Sequence, residues 1–235
     1  MDLCNLSGKC RDIVKIQREY KGVILYSDGS IFEGHFFDGM INGYGRKIFS
    51  SLEVYEGYFI NGLANGKGKY IYSDNSYYEG DWKDDIQEGY GIEVWKNGDE
   101  YKGLYKNGMK NGKGVYIWRN GAKYEGEFVD GKQEGKGVCL YENGDRYIGC
   151  WMNGKKHGRG VVIHNDGKKF EGVFENGKKH GKGKLTIPNE GVWKGKWVNG
   201  KENGIFELIL NDKVVKRVKW NHGVLFEELD AGTGG

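Results

Sequence analysis

A period of 23 residues governs this chain. The stretch Tyr101 to Lys123, YKGLYKNGMKNGKGVYIWRNGAK, returns with variations and without insertions along most of the sequence. With Tyr101 as position 1, that position holds Phe32, Tyr55, Tyr78, Tyr101, Tyr124, Tyr147, Phe170 and Trp193, and position 5 holds Phe36, Phe59, Trp82, Tyr105, Phe128, Trp151, Phe174, Trp197 and Trp220. Every one of these residues is aromatic in a chain with 14% aromatics, which chance placement does not produce. An uninterrupted short period marks a stack of identical units, each too small to bury its own apolar face, and excludes a single irregular core.

Two runs in each unit have strand character. Positions 1 to 5, as in Tyr124-Glu125-Gly126-Glu127-Phe128, alternate aromatic or glycine with polar, as a half-buried strand requires. Positions 14 to 19, as in Gly114-Val115-Tyr116-Ile117-Trp118, are rich in β-branched and aromatic residues. Asn97-Gly98, Asn120-Gly121, Asn143-Gly144 and Asp166-Gly167 separate the second run from the next unit, a strong hairpin signal. Positions 6 to 12 are polar and bracketed by glycine, and they read as the turn at the opposite edge. The expected fold is all-β: a single-layer, twisted antiparallel meander of hairpins with about 18 strands, on the order of 85 Å long. Register stays open between two pairings. A two-residue loop sets position 17 opposite the next position 1, whereas a three-residue loop with a left-handed glycine sets position 16 there. In either case the rings at positions 1 and 5 are expected to lie over the glycines at positions 3 and 14.

Composition refines the outline. The chain holds 42 glycines and 1 proline, and the glycines keep register at positions 3 (Gly34 to Gly195) and 12 (Gly43 to Gly204), so they punctuate structure and do not loosen it. Residues 1–20 lack the repeat and read as a tail or docking segment. Residues 21–204 form the array, 205–228 a cap with a worn half-unit, and 229–235 a flexible tail. Two units depart from the pattern, with Asp85 at position 8 and Phe206 at position 14. The four cysteines form no CxxC pair, and Met1 to Cys10 lacks a signal-peptide apolar run, so a reducing, cytoplasmic setting is expected. No stretch approaches the roughly 18 apolar residues of a membrane-spanning helix.

The pattern Tyr124, Gly126, Phe128, Gly131, Gly135, Gly137 resembles the MORN repeat family (membrane occupation and recognition nexus) over roughly Gly22 to Gly223. The resemblance implies a twisted antiparallel β-ribbon with a groove lined by the aromatic positions: Tyr55, Phe59, Tyr78, Trp82, Tyr101, Tyr105, Tyr124, Phe128, Tyr147, Trp151, Phe170, Phe174, Trp193 and Trp197. With no appended domain in this sequence, it is similar to stand-alone scaffolds of ciliary radial spoke heads, protist cytoskeletons and myosin-binding adaptors. The expected function is therefore a non-enzymatic scaffold that takes an extended peptide or a helix in the groove, in a cilium or another cytoskeletal assembly. Phe128→Ser with Trp151→Ser is expected to weaken partner capture. Some family members bridge dimers through zinc near the C-terminus, and His222 without a following cysteine does not support that here.

No enzymatic chemistry stands out. Gly-x-Gly recurs without the strand-to-helix context of a dinucleotide site, and Gly177 to Lys184, GKKHGKGK, has neither the spacing nor the Ser/Thr of a phosphate loop. His157 and His180 share position 11 in adjacent units, about 9.6 Å apart, too far to share a zinc ion, and read as solvated loop histidines. No cofactor is expected.

Charge is uneven. Residues 1–100 hold 11 Lys/Arg against 17 Asp/Glu, while residues 101–235 hold 25 against 16. Lys155, Lys156, Arg159, Lys168, Lys169, Lys178, Lys179 and Lys182 are expected to line one loop edge, facing acidic protein tails. In the alternative reading the same edge meets anionic phospholipid as a peripheral membrane adaptor. Nucleic acid is not expected, because overall charge is nearly balanced.

Overall fold

The computed structural model describes residues 18–229. The tails expected at 1–20 and 229–235 lie outside them, apart from Arg18, Glu19, Tyr20 and Leu229; Glu19 and Tyr20 already belong to the first strand and Leu229 to the last. Among the described residues all regular structure is β, in 20 strands numbered β1 (Glu19–Leu25) to β20 (Val224–Leu229) in chain order. From β1 to β16 (Gly191–Val198) each strand pairs antiparallel with the next, which makes one open sheet. Near the end, β17 (Lys201–Glu202) and β18 (Gly204–Leu210) lie end to end beside β16, and β19 (Lys213–Asn221) and β20 complete the sheet.

The central unit shows how the sequence makes the hairpin. Strands β8 (Glu100–Lys106) and β9 (Met109–Ile117) are joined by Asn107-Gly108 alone, with φ of 50° and 75° at the two residues. This is the left-handed pair that a two-residue hairpin of matched twist demands. The turn is therefore shorter than the expected stretch from position 6 to 12, and the second strand starts at position 9. Position 12 does not lie in a loop. Gly112 takes φ 88° within β9, where pairing slips from Gly103↔Gly114 to Tyr105↔Lys110. Glycine at this place serves a β-bulge.

The connection to the next unit settles the register. Gly98 N–H bonds the Trp95 carbonyl and Trp95 N–H bonds the Asp99 carbonyl, the three-residue loop with a left-handed glycine. Tyr116 consequently sits opposite Tyr124, position 16 facing position 1. Asp85 at position 8 keeps the turn's positive φ at 66°, and its carboxylate accepts the Ala64 N–H, which explains why this unit tolerates the loss of glycine.

The rings at positions 1 and 5 fall on one face. Tyr124 lies so flat over Gly126 and Gly137 that a Cβ at Gly137 would stand 2.6 Å from the ring. Each position 1 ring meets the position 5 rings of its own and the following unit edge-to-face: Tyr124 is 5.2 Å from Phe128 and 5.0 Å from Trp151, at 87° and 82°. The zigzag runs unbroken from Phe36 through Trp197. Such contacts are worth about 0.5–1.5 kcal/mol each beyond the area they bury. The hydroxyls of Tyr55, Tyr78, Tyr101, Tyr124 and Tyr147 donate over 2.8–3.1 Å to the carbonyl three residues on. That carbonyl belongs to position 4, which in the β8–β9 hairpin is Leu104, the residue that the bulge leaves without a partner.

Position 1 loses this role in the last full unit. Phe206, standing where position 14 is otherwise glycine, lies over Gly195 with its ring 2.5 Å from where a Cβ would be, and it continues the zigzag from Trp197 at 4.7 Å. A ring from one strand has replaced a ring from its neighbour, which leaves Trp193 half-buried and donating to Glu190 at 2.8 Å.

Neighbouring units are also tied along both long edges. The position 8 N–H donates to the position 10 carbonyl of the preceding unit, as in Gly108 to Gln87 and Gly131 to Lys110, both at 2.9 Å. On the other edge Asp99 accepts the Arg119 N–H and Asp145 accepts the Asn165 N–H, again at 2.9 Å. The loops thus fix the spacing that the strands set.

Candidate functional site

Burial corrects the expected groove. Tyr78, Tyr101, Tyr124, Tyr147 and Phe170 are 0% exposed, and Tyr55, Phe59, Trp82, Tyr105, Phe128, Trp151, Phe174 and Trp197 reach at most 9%. With glycine beneath them the rings sink onto the backbone and cover one another, so they are the core of a one-layer protein and leave no groove to line. Substituting Phe128 and Trp151 with serine therefore tests stability, not capture.

The concave surface is on the opposite face. Positions 3 and 14 carry no side chain, so between positions 2 and 15 on one wall and 4 and 13 on the other the floor is bare glycine backbone. Its central stretch encloses about 930 Å³ over Gly103, Gly114, Gly126, Gly137 and Gly149. Further stretches share wall residues with their neighbours: Tyr44 and Tyr90 toward the N-terminus, Arg159 and Lys182 toward the C-terminus. One trough follows the sheet from Lys21 to Glu207.

The walls change character along the trough. In the N-terminal half Lys67 is paired with Asp81 at 2.7 Å and Lys69 with Glu79 at 3.2 Å. In the second half position 13 reads Lys113, Lys136, Arg159, Lys182, all exposed, and none enters an ion pair among the described residues. Lys184, Lys194 and Lys196 extend this surface. The acids there are Glu125, Glu127, Glu171 and Glu207, of which Glu125, Glu171 and Glu207 are engaged by Lys123, Lys169 and Arg217.

The expected basic edge is divided among several surfaces. Only Arg159 and Lys182 lie in the trough. Position 10 pairs with position 5, so Lys156 and Lys179 face the rings. Their Nζ atoms stand 5.0 Å from the Tyr141 centroid and 4.6 Å from that of Phe170. Burial holds both ammonium groups below the usual lysine range. Lys155 and Lys178 flank the Asn-Gly turns, while Lys168 and Lys169 occupy the other edge and pair with Asp166 at 2.8 Å and Glu171 at 3.1 Å. His157 and His180 belong to strands, not loops, and their Nδ1 atoms are buried.

One column went unread in the sequence. Position 18 carries Tyr26, Phe49, Tyr72, Trp95, Trp118 and Tyr141 in succession, a half-buried shelf beside the core in which Tyr116 packs 4.9 Å from Trp118. The period of 23 was the signal that reveals it. The trough residues at position 13 were equally visible, but their shared face depends on the register.

The decisive match is one of phase. The family model for the MORN repeat fits residues 32–52, 55–77, 78–100, 101–123, 124–146, 147–169 and 170–192, each starting at position 1. The chain belongs to the MORN repeat family. The matches of this MORN protein stop before Trp193, the unit in which Phe206 takes the ring's place. Among solved structures it is similar to the TCP10 domain of Danio rerio CPAP, at 11% identity and TM-score 0.49 over 88% of this chain and 99% of that one. It is also similar to the SAS-4 (dCPAP) TCP domain of Drosophila melanogaster, solved in complex with a proline rich motif of Ana2 (dSTIL), at 13% identity and TM-score 0.41 over 81% and 96%. No curated protein matches the chain.

Proposed function

We propose that this MORN protein is a non-enzymatic scaffold that holds a segment of a partner protein in the basic half of its trough. The observation that carries this reading is the row Lys113, Lys136, Arg159, Lys182: exposed cations without ion pairs, one per unit, above a floor of glycine backbone. Unneutralised charge of one sign in a concave site raises the local concentration of a partner of opposite sign. The buried ladder supports the same function by giving the trough a rigid wall spacing. Membership of a family with known cytoskeletal scaffolds supports placement in a cytoskeletal or ciliary assembly.

The geometry gives the membrane alternative less support. A lipid headgroup layer needs cations gathered on a surface that can lie flat, and here they are divided between a trough, a ring face and two edges. Affinity capture with Lys136→Ala/Arg159→Ala beside the parent chain tests the reading, with circular dichroism confirming that both fold. Partners retained equally by the variant count against the trough. Fractionation separates the two settings: co-purification with membranes, not cytoskeleton, favours the lipid reading.

A further inference from the structure

The proposed partner site has a period, and the period selects a conformation. Lys113, Lys136, Arg159 and Lys182 occupy one position in successive units, on alternate strands of one sheet. Strands lie about 4.8 Å apart, so these cations recur roughly every 9.6 Å along the trough. A segment lying lengthwise there meets all four only if it presents an acidic side chain on one side at that spacing.

The three regular backbones differ in whether they can. A polyproline II helix has three residues per turn and rises 3.1 Å per residue, which places every third side chain on one side about 9.3 Å apart. Across three intervals its misfit to the lysine row is about 1 Å, well within the reach of a lysine side chain. An extended strand alternates sides, so residues on one face recur at about 6.8 Å or 13.6 Å and match neither. An α-helix returns to its face at i+7, about 10.5 Å, and drifts by nearly 3 Å over the same three intervals. Polyproline II also leaves its own peptide groups unpaired, and the bare floor at Gly114, Gly126, Gly137 and Gly149 lets that backbone approach closely.

Resting on the scaffold reading above, we infer that the occupant of the trough is a polyproline II segment with a carboxylate at every third residue, one for each of Lys113, Lys136, Arg159 and Lys182. The pattern is Asp/Glu-x-x repeated four times, with x rich in proline. Glu127 stands between Lys113 and Lys136 on the walls and disfavours further acids at the intervening residues.

Direct binding to the full chain, followed by fluorescence anisotropy, tests this with labelled (Glu-Pro-Pro)4. The comparison peptides are a permuted sequence of the same composition with its four glutamates adjacent, and a helical peptide with glutamate at every seventh residue. The period-three peptide is expected to bind at least tenfold more tightly than either, and Lys136→Ala/Arg159→Ala is expected to weaken it about tenfold. Lys155→Ala/Lys178→Ala, outside the trough, is expected to leave it unchanged. Equal binding of all three peptides, lost in the trough variant, overturns the conformational inference and leaves the trough reading standing. Binding that survives Lys136→Ala/Arg159→Ala overturns both. Capture of phosphatidylserine vesicles with no peptide binding also overturns both and transfers the site to lipid.

Discussion

Gly137→Ala is the sharpest test of the packing argument, because the residue replaced is small and the structure says what its replacement meets. The new methyl would stand 2.6 Å from Cε2 and Oη of Tyr124, about 1 Å inside normal contact. The ring cannot retreat, since Phe128 and Trp151 hold its edges at 5.2 and 5.0 Å and its hydroxyl is tied to Glu127. Overpacking costs about 1–3 kcal/mol and loss of the hydroxyl bond adds about 1 kcal/mol, so a penalty near 3 kcal/mol is expected. The same substitution in a Tyr124→Ala background no longer meets the ring and exchanges glycine for a better strand residue, worth about 0.5–1 kcal/mol. The double-mutant cycle should therefore show a coupling of about 3.5–4 kcal/mol. Repeat arrays unfold locally, so hydrogen exchange at the amides of residues 123–140 is the suitable readout. A Gly137→Ala cost that is the same with and without the Tyr124 ring refutes the argument.

Further predictions follow the same geometry. Tyr124→Phe should cost about 1 kcal/mol, the hydroxyl bond alone, in the same exchange experiment. Trp82 Nε1 donates to the Gly68 carbonyl at 3.0 Å whereas Trp151 Nε1 is buried without a partner among the described residues; in thermal melts Trp82→Phe should therefore destabilise by about 1 kcal/mol more than Trp151→Phe. The Asn165 N–H, with smaller help from His164 and against a desolvation cost, holds the Asp145 carboxyl below its ordinary value. A depressed carboxylate contributes stability above its unfolded pKa of about 3.9 and loses it as pH falls through the folded value. The melting difference between the parent and Asp145→Asn should thus be full at pH 7 and shrink as the pH falls below the ordinary carboxylate range of about 4.

The period made the fold legible. Eight in-phase aromatics at position 1 and the glycines at position 3 announced rings over bare backbone, and Tyr124 over Gly126 is that arrangement. The site was less legible because it depends on which way each side chain points. Lys156 and Arg159 are three residues apart on β13 (Lys155–Ile163), a strand that begins where a turn was expected, so the alternation of a strand sends one to the rings and the other to the trough. A cluster counted along the sequence cannot see that division. The aromatics were misplaced for a related reason: an apolar stripe on a one-layer sheet looks exposed until the glycines let the rings settle into it.

The count of strands sets a limit on assembly. Because β17 and β18 share one place beside β16, the 20 strands of the described residues occupy 19 rows, an odd number. In an antiparallel sheet the first and last of an odd number of rows run the same way. A second copy that continued the sheet end to end, with its rings on the same face, would have to meet β20 with its own β1 in parallel. Two copies meeting β20 to β20 about a two-fold axis normal to the sheet would instead pair antiparallel, face matching face, with Val224, Leu225 and Phe226 exposed along the seam. For the described rows, parity thus fits a closed pair and not an open filament.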